Sequence, residues 1–253
     1  MYCVYLLIII IAFFLKGTCN FTNLGFARKL MRPPSFLDSF PLWLYYPSLI
    51  KWKISQRNQL DIETKEYLIY TINASILIDL ATFIEGISCE MQSTIFFQRL
   101  DNKDKFQWNL FKHFDNRLNN STWTNYVEFF DLLLGEKLIS KIDNEKWKAI
   151  SVLFNFRNSL VHGKEIEILY EDINNEPKVE AYDRHKKVFE YLKEKKLVDL
   201  TFKPNLNSVN LLNNKVVEHF SKSTIDFVEN LFSILPESEI DDLKENFKEC
   251  LTF

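Results

Sequence analysis

Glycine is scarce in this 253-residue chain, with five in all, and no proline falls between Pro47 and Pro177. The middle of the sequence is therefore free of the usual helix breakers, which predicts a mostly helical fold. Cysteine is equally sparse. Cys3, Cys19, Cys89 and Cys250 are scattered with no Cys-x-x-Cys, and His113, His162, His185 and His219 form no close pair. That spacing predicts reduced thiols, no metal site and no cofactor. Excess positive charge is missing too, because the net charge is −3 and the pI is near 5.9. A protein that coats a duplex is usually basic, so any nucleic-acid signal has to be local. The sequence contains no internal repeat, glycine-rich phosphate loop, nucleophile elbow or low-complexity tract.

What is present is apolar. The chain is 47% hydrophobic and 15% aromatic, enough for a sizeable core in one large domain or one domain with appendages. Residues 1–30 begin with an apolar run, Tyr2 to Leu15, which falls short of the roughly 20 residues that span a bilayer. It lacks a positive start and a good small-residue cleavage site. Three readings fit it: a secretory or membrane-contacting segment, an upstream extension to a chain that begins at Met31, and a buried first helix. Residues 31–60 hold Pro33, Pro34, Pro41 and Pro47 among Phe36, Phe40, Trp43, Tyr45, Tyr46 and Trp52, which predicts an irregular arm packed across the domain. The main domain is predicted over 61–253.

Within that domain Leu68, Ile72, Ile76, Leu80, Phe83, Ile84 and Ile87 recur at helical spacing, giving a long core helix from Asp61 to about Gln98 with Gly86 as the place for a bend. Asp79 and Glu85 lie inside it. Phe106, Leu110 and Phe114 mark a short amphipathic helix over 104–116. Asn120-Ser121-Thr122 matches a glycosylation acceptor but serves better as a cap for the helix that follows. After Gly163 the period changes to two, predicting a β-hairpin over 165–182. Residues 184–196 are the most basic stretch. Lys186, Lys187 and Lys193 there are the candidate phosphate-contacting residues, set against a solvated helix face. Two further helices are expected over 212–235 and from Glu237 to Cys250.

The helix from Asn144 to Gly163 is the most informative stretch. Asp143 caps its start and Gly163 supplies the left-handed residue at its end. At about 100° per residue, Lys148, Ser151, Asn155, Asn158 and Ser159 share one face with His162, while most of the remaining arc is apolar. Arg157 falls on the apolar arc near Ile150 and Leu153. A guanidinium there cannot shed its charge, so it needs a carboxylate, a phosphate or a route back to water.

Arg157-Asn158-Ser159-Leu160-Val161-His162 resembles the Arg-Asn-x-x-x-His motif of the HEPN superfamily, small antiparallel helical bundles that include many metal-independent ribonucleases. The resemblance implies a HEPN-like bundle with the hairpin inserted after the motif helix, and RNA as substrate. It implies cleavage to a 2′,3′-cyclic phosphate and a 5′-hydroxyl, with Arg157, Asn158 and His162 as catalytic residues and Ser151 and Asn155 lining the cleft. Phe-Ile-Glu-Gly is similar to the place where many members carry a glutamate near the motif helix, which makes Glu85 the candidate partner of Arg157, with Asp79 the alternative. The family habit of joining two motifs across a two-fold axis implies a homodimer, a cytoplasmic location, and a role in phage defence or as a toxin. The adenylylated toxin branch carries a Tyr where this chain has Lys164, so the resemblance does not extend to that mode. Two other classes compete: a non-catalytic nucleotide- or protein-binding module, and an exported or membrane-associated helical protein.

Overall fold

The computed structural model describes residues 42–100, 104–163, 168–173, 176–181, 185–198 and 211–250. The Tyr2–Leu15 segment and the first part of the arm lie outside the described residues. Residues 42–253 form one compact, mostly helical unit. A 3-10 turn, Leu42–Tyr45, leads into α1 (Tyr46–Asn58), which is followed by α2 (Ile62–Gln98), α3 (Lys105–Asn119) and α4 (Trp123–Leu134). Then come α5 (Asn144–Val161), β1 (Ile168–Ile173), β2 (Glu176–Ala181), α6 (Lys186–Glu194), α7 (Asn214–Ile234) and α8 (Glu237–Cys250).

The long apolar period becomes the axis of the bundle. Ile76, Leu77, Leu80, Phe83, Ile84, Ile87, Met91 and Ile95 of α2 are fully buried, and α1, α3, α4, α5, α7 and α8 all pack against that helix. Each such side chain contributes about 1.5–3 kcal/mol on leaving water, so the covering helices, rather than intrinsic propensity, stabilise it. Lys65–Gln98 is long and apolar enough to cross a membrane by length and composition alone. The axis of a helical bundle has the same composition.

Three features differ from the sequence reading. Residues 46–58 are helical rather than an irregular arm: Pro47 sits in the first turn, where its missing N–H leaves no bond unmade, and Ile50 is fully buried. The bundle thus begins before residue 61. Second, the non-helical backbone within α2 is at Lys65 (φ −130°, ψ 27°), not at Gly86. Gly86 instead allows a close approach, since a Cβ there would lie 2.8 Å from the Cβ of Trp43. Third, α3 buries Phe111 and Leu118 and leaves Phe106 74% and Leu110 44% exposed. Two apolar stripes overlap on α3. The one that turns inward meets Phe96 and Phe97 at the end of α2, with ring centroids 4.2 Å apart for Phe96 and Phe114 and 5.1 Å for Phe97 and Phe111.

Beyond α5, β1 and β2 pair antiparallel, from Ile168 opposite Ala181 to Ile173 opposite Glu176. Glu165, Ile166 and Glu167 lie outside the described residues. Asn213 caps α7 by accepting the Val216 N–H at 3.1 Å. Val216, Val217, Phe220, Phe227, Val228 and Leu231 then carry that helix into the core. Phe247 of α8 is buried against this core, its ring stacked 6.1 Å from that of Phe83 and tilted against that of Phe232 at 4.9 Å.

Candidate functional site

Helix α5 is held at both ends by backbone chemistry. The Asp143 carboxylate accepts from the N–H groups of Glu145 (3.0 Å) and Lys146 (3.2 Å). At the other end the His162 N–H donates to the Asn158 carbonyl at 3.3 Å, and Gly163 follows at φ +57°. That positive φ favours glycine and ends the helix there. Ala149, Ile150, Val152, Leu153, Phe154 and Phe156 are buried, with the Phe154 ring stacked 4.5 Å from that of Trp123. Asn155, Asn158 and His162 are exposed and Ser151 is half-buried, so these four lie along one open stripe.

Arg157 points the other way. Its Nη2 donates to Glu85 Oε2 at 2.6 Å and its Nη1 to Asn158 Oδ1 at 3.0 Å. The guanidinium side chain keeps 24% of its exposure and Glu85 keeps 16%, so the pair is partly enclosed and still reached by solvent. Glu85 also accepts the backbone N–H of Trp123, the first residue of α4. Burial raises the Glu85 carboxyl above its ordinary 4.5, and the charge of Arg157 and the Trp123 N–H oppose that shift without cancelling it. One carboxylate therefore joins α2, α4 and α5.

This corrects the expected cap. Thr122 occupies the N-cap position of α4 but its hydroxyl makes no capping bond. The side chains of Asn120 and Ser121 turn back to the Asn116 and Arg117 carbonyls, at 2.8 and 2.7 Å. The N-terminus of α4 is met by Glu85 from another helix, a contact that a local pattern does not reveal.

Asp79 has a different partner. Lys53 of α1 donates to its Oδ2 at 2.5 Å, and burial raises this carboxyl against the pull of that lysine. The Tyr46 phenol lies in the field of both acids. Burial raises it first, and the charges of Asp79 and Glu85 add to the shift.

Ser159, assigned to the polar face by helical spacing, is 6% exposed. Its hydroxyl lies 3.2 Å from the Asn155 carbonyl and shares a hydrogen bond with His185 Nε2 at 2.8 Å. At the other end of α6, Lys148 donates to Glu194 at 2.7 Å and Lys195 pairs with Glu145. Helix α6 therefore runs antiparallel along α5. Lys186, Lys187 and Lys193 are exposed on it, with Lys186 3.9 Å from Glu190. Sequence reasoning assigns His185, Lys53 and Trp123 no part in the site. Each acts through a partner on another helix, and neither spacing nor composition carried a signal for them.

The arrangement places a braced cation and an open imidazole on successive turns of one helix. An imidazole exchanges protons near neutrality, and a guanidinium offers five donors in a planar fork that matches phosphate. Among the described residues no group of three His, Cys, Asp or Glu side chains gathers to hold a metal. Comparison with family models, with curated proteins and with solved structures finds no match.

Proposed function

We propose that the open end of α5 is the active site of a metal-independent endoribonuclease, and that the helices around it form a HEPN-like bundle. The 2′-hydroxyl of a ribose attacks the adjacent phosphorus; the P–O2′ bond forms and the P–O5′ bond breaks. The products are a 2′,3′-cyclic phosphate and a 5′-hydroxyl. Arg157 holds the phosphate and the charge that grows on it, and Asn158 orients the ring or the phosphate. His162 handles one of the two proton transfers, one leaving the 2′-oxygen and one reaching the 5′-oxygen. A single imidazole serves one of these at a time, so two copies of the chain joined through this end supply both. Cytoplasmic action in phage defence or growth arrest fits such a homodimer.

The observation that carries this reading is the pairing of Arg157 with Glu85 at 2.6 Å on the helix that leaves His162 exposed. Glu85 and Asn158 engage two of the five guanidinium donors, and the others remain to meet a phosphate. The test is cleavage of total RNA by wild type, Arg157→Ala and His162→Ala, with chemical identification of the new ends. Each substitution is expected to lower the rate about 10²–10³-fold with the fold intact by circular dichroism. Undiminished cleavage in both variants would end the proposal.

A second reading has its own support, because the Glu85 contact also braces α2, α4 and α5 within one chain. In that case the bundle is a non-catalytic binding module. RNA left intact by the folded wild type, together with loss of stability in Arg157→Ala, would favour it.

A further inference from the structure

Ser159 is the last buried side chain of α5. Leu160 is half-buried against the core, and Val161, His162 and Gly163 are all exposed. The final turn of a helix carries carbonyls with no partner inside the helix, and it frays unless something outside holds it. The closing bonds of α5 itself are long: 3.3 Å from the His162 N–H to the Asn158 carbonyl and 3.2 Å from the Gly163 N–H to the Leu160 carbonyl. His162 stands at the C-cap, so the direction of its ring depends on what fixes the turn before it.

Among the described residues, two polar contacts with other parts of the bundle fix that turn. Arg157 donates to Glu85 of α2 at 2.6 Å, and Ser159 Oγ lies 2.8 Å from Nε2 of His185, the N-cap residue of α6. Two residues turn a helix by about 200°, so these contacts grip α5 from opposite sides. The second is enclosed, with His185 4% and Ser159 6% exposed. Burying an imidazole and a hydroxyl costs free energy that two apolar side chains of the same shape would avoid. Stability alone therefore gives the pair no advantage. What it adds is direction, because a hydrogen bond weakens steeply as its geometry bends, whereas apolar contact tolerates rotation and sliding. Resting on the ribonuclease reading above, we infer that His185 is a positioning residue, which through Ser159 fixes the rotation of the last turn of α5 and so aims the His162 ring at the reacting oxygens. It is enclosed and touches no substrate itself.

The test uses the full chain and measures kcat and KM for RNA cleavage per folded molecule. His185→Phe keeps the bulk and removes the bond. Ser159→Ala removes the same bond with the imidazole in place and without lowering helix propensity, so the bond is tested even if His185→Phe fails to fold. Each is expected to lower kcat about tenfold or more and to leave KM within about twofold. The double variant is expected to be no slower than the slower single one, since all of them lose one shared bond. His185→Gln carries an amide able to donate or accept near the place of Nε2, and it is expected to recover most of the rate. The His162 ring resonances, assigned by their loss in His162→Ala, are expected to move in His185→Phe and Ser159→Ala and to return in His185→Gln. A lower Tm with unchanged kcat would overturn the assignment, as would unmoved His162 resonances, losses that multiply in the double variant, or a glutamine variant as slow as the phenylalanine one. Cleavage by wild type that persists at full rate in both single variants removes His185 alone, whereas a wild type that leaves RNA intact removes the ribonuclease reading and this inference with it.

Discussion

Arg57 and Arg157 each reach α2 from a neighbouring helix, yet their surroundings differ. Arg57 is 3% exposed, and its close partners are amides: Asn58 Oδ1 at 3.0 and 3.1 Å and Asn73 Oδ1 at 3.2 Å. The carboxylate it pairs with, Glu218, is 3.8 Å away and 66% exposed. Burial lowers the Arg57 pKa, with Glu218 opposing. Asn73 passes the contact on, donating to the Leu212 carbonyl at 2.6 Å and to Asn214 at 3.0 Å, so α1, α2 and the start of α7 are fastened together. Arg157 has a carboxylate at 2.6 Å and keeps an opening to solvent. Burial alone therefore does not mark an arginine for chemistry. The enclosed guanidinium uses three of its five donors on amides inside the bundle, and the one proposed to bind a ligand uses two and stays within reach of solvent on the helix that exposes His162.

A double dissociation would sharpen this contrast most. Arg157→Ala is expected to reduce RNA cleavage about 10²–10³-fold and stability by only about 1 kcal/mol. Arg57→Ala is expected to cost about 3 kcal/mol through lost packing and the orphaned Asn73 amide, with the rate per folded molecule unchanged. Urea unfolding and single-turnover cleavage measure the two. Gly86→Ala comes next: the added methyl meets Trp43, and overpacking of this kind costs about 1–3 kcal/mol, which would appear as a lower Tm with no left-handed strain involved.

The smallest effects are in pH. Because burial raises Glu85, its contribution to stability is fully present below the ordinary value of 4.5 and is lost as pH rises through the raised one. The stability of wild type minus that of Glu85→Gln is therefore expected to decline across that window. His219 has the opposite sign. Burial, then Lys195 and Lys222, lower its pKa from 6.5, while its Nε2 is 2.8 Å from the Tyr191 hydroxyl. Its contribution is present above 6.5 and falls away as pH drops through the lowered value. Wild type is expected to lose stability relative to His219→Gln as pH falls from about 6.5. Equal slopes for the two proteins would remove that assignment.

The parts of the fold that were legible were those encoded by long periodicity. The axis helix, the motif helix with Asp143 and Gly163 at its ends, and α7 all follow from apolar spacing and local capping. The need of Arg157 for a counter-charge also followed from its place on an apolar arc, although which acid answers it rested on a family resemblance. What was not legible depended on contacts between distant residues. The α1 helix was hidden by prolines and aromatics that suit an arm equally well, and with it Arg57, the more deeply buried of the two arginines. The α3 stripe was ambiguous because two sets of aromatics satisfy one period, and only Phe96 and Phe97 decide between them. Thr122 had the right identity for a cap, but an acid arriving from α2 took the role.

The contact between Ser159 and His185 has a consequence for how this protein can change over evolutionary time. It brings the exit from α5 and the entrance to α6 to within one hydrogen bond, so the paired strands β1 and β2 belong to a stretch of chain whose two ends the bundle holds together. Lengthening such a stretch adds little closure entropy. Strands in that position can be exchanged or extended as an interchangeable cassette while the helices that carry Ser159 and His185 stay the same.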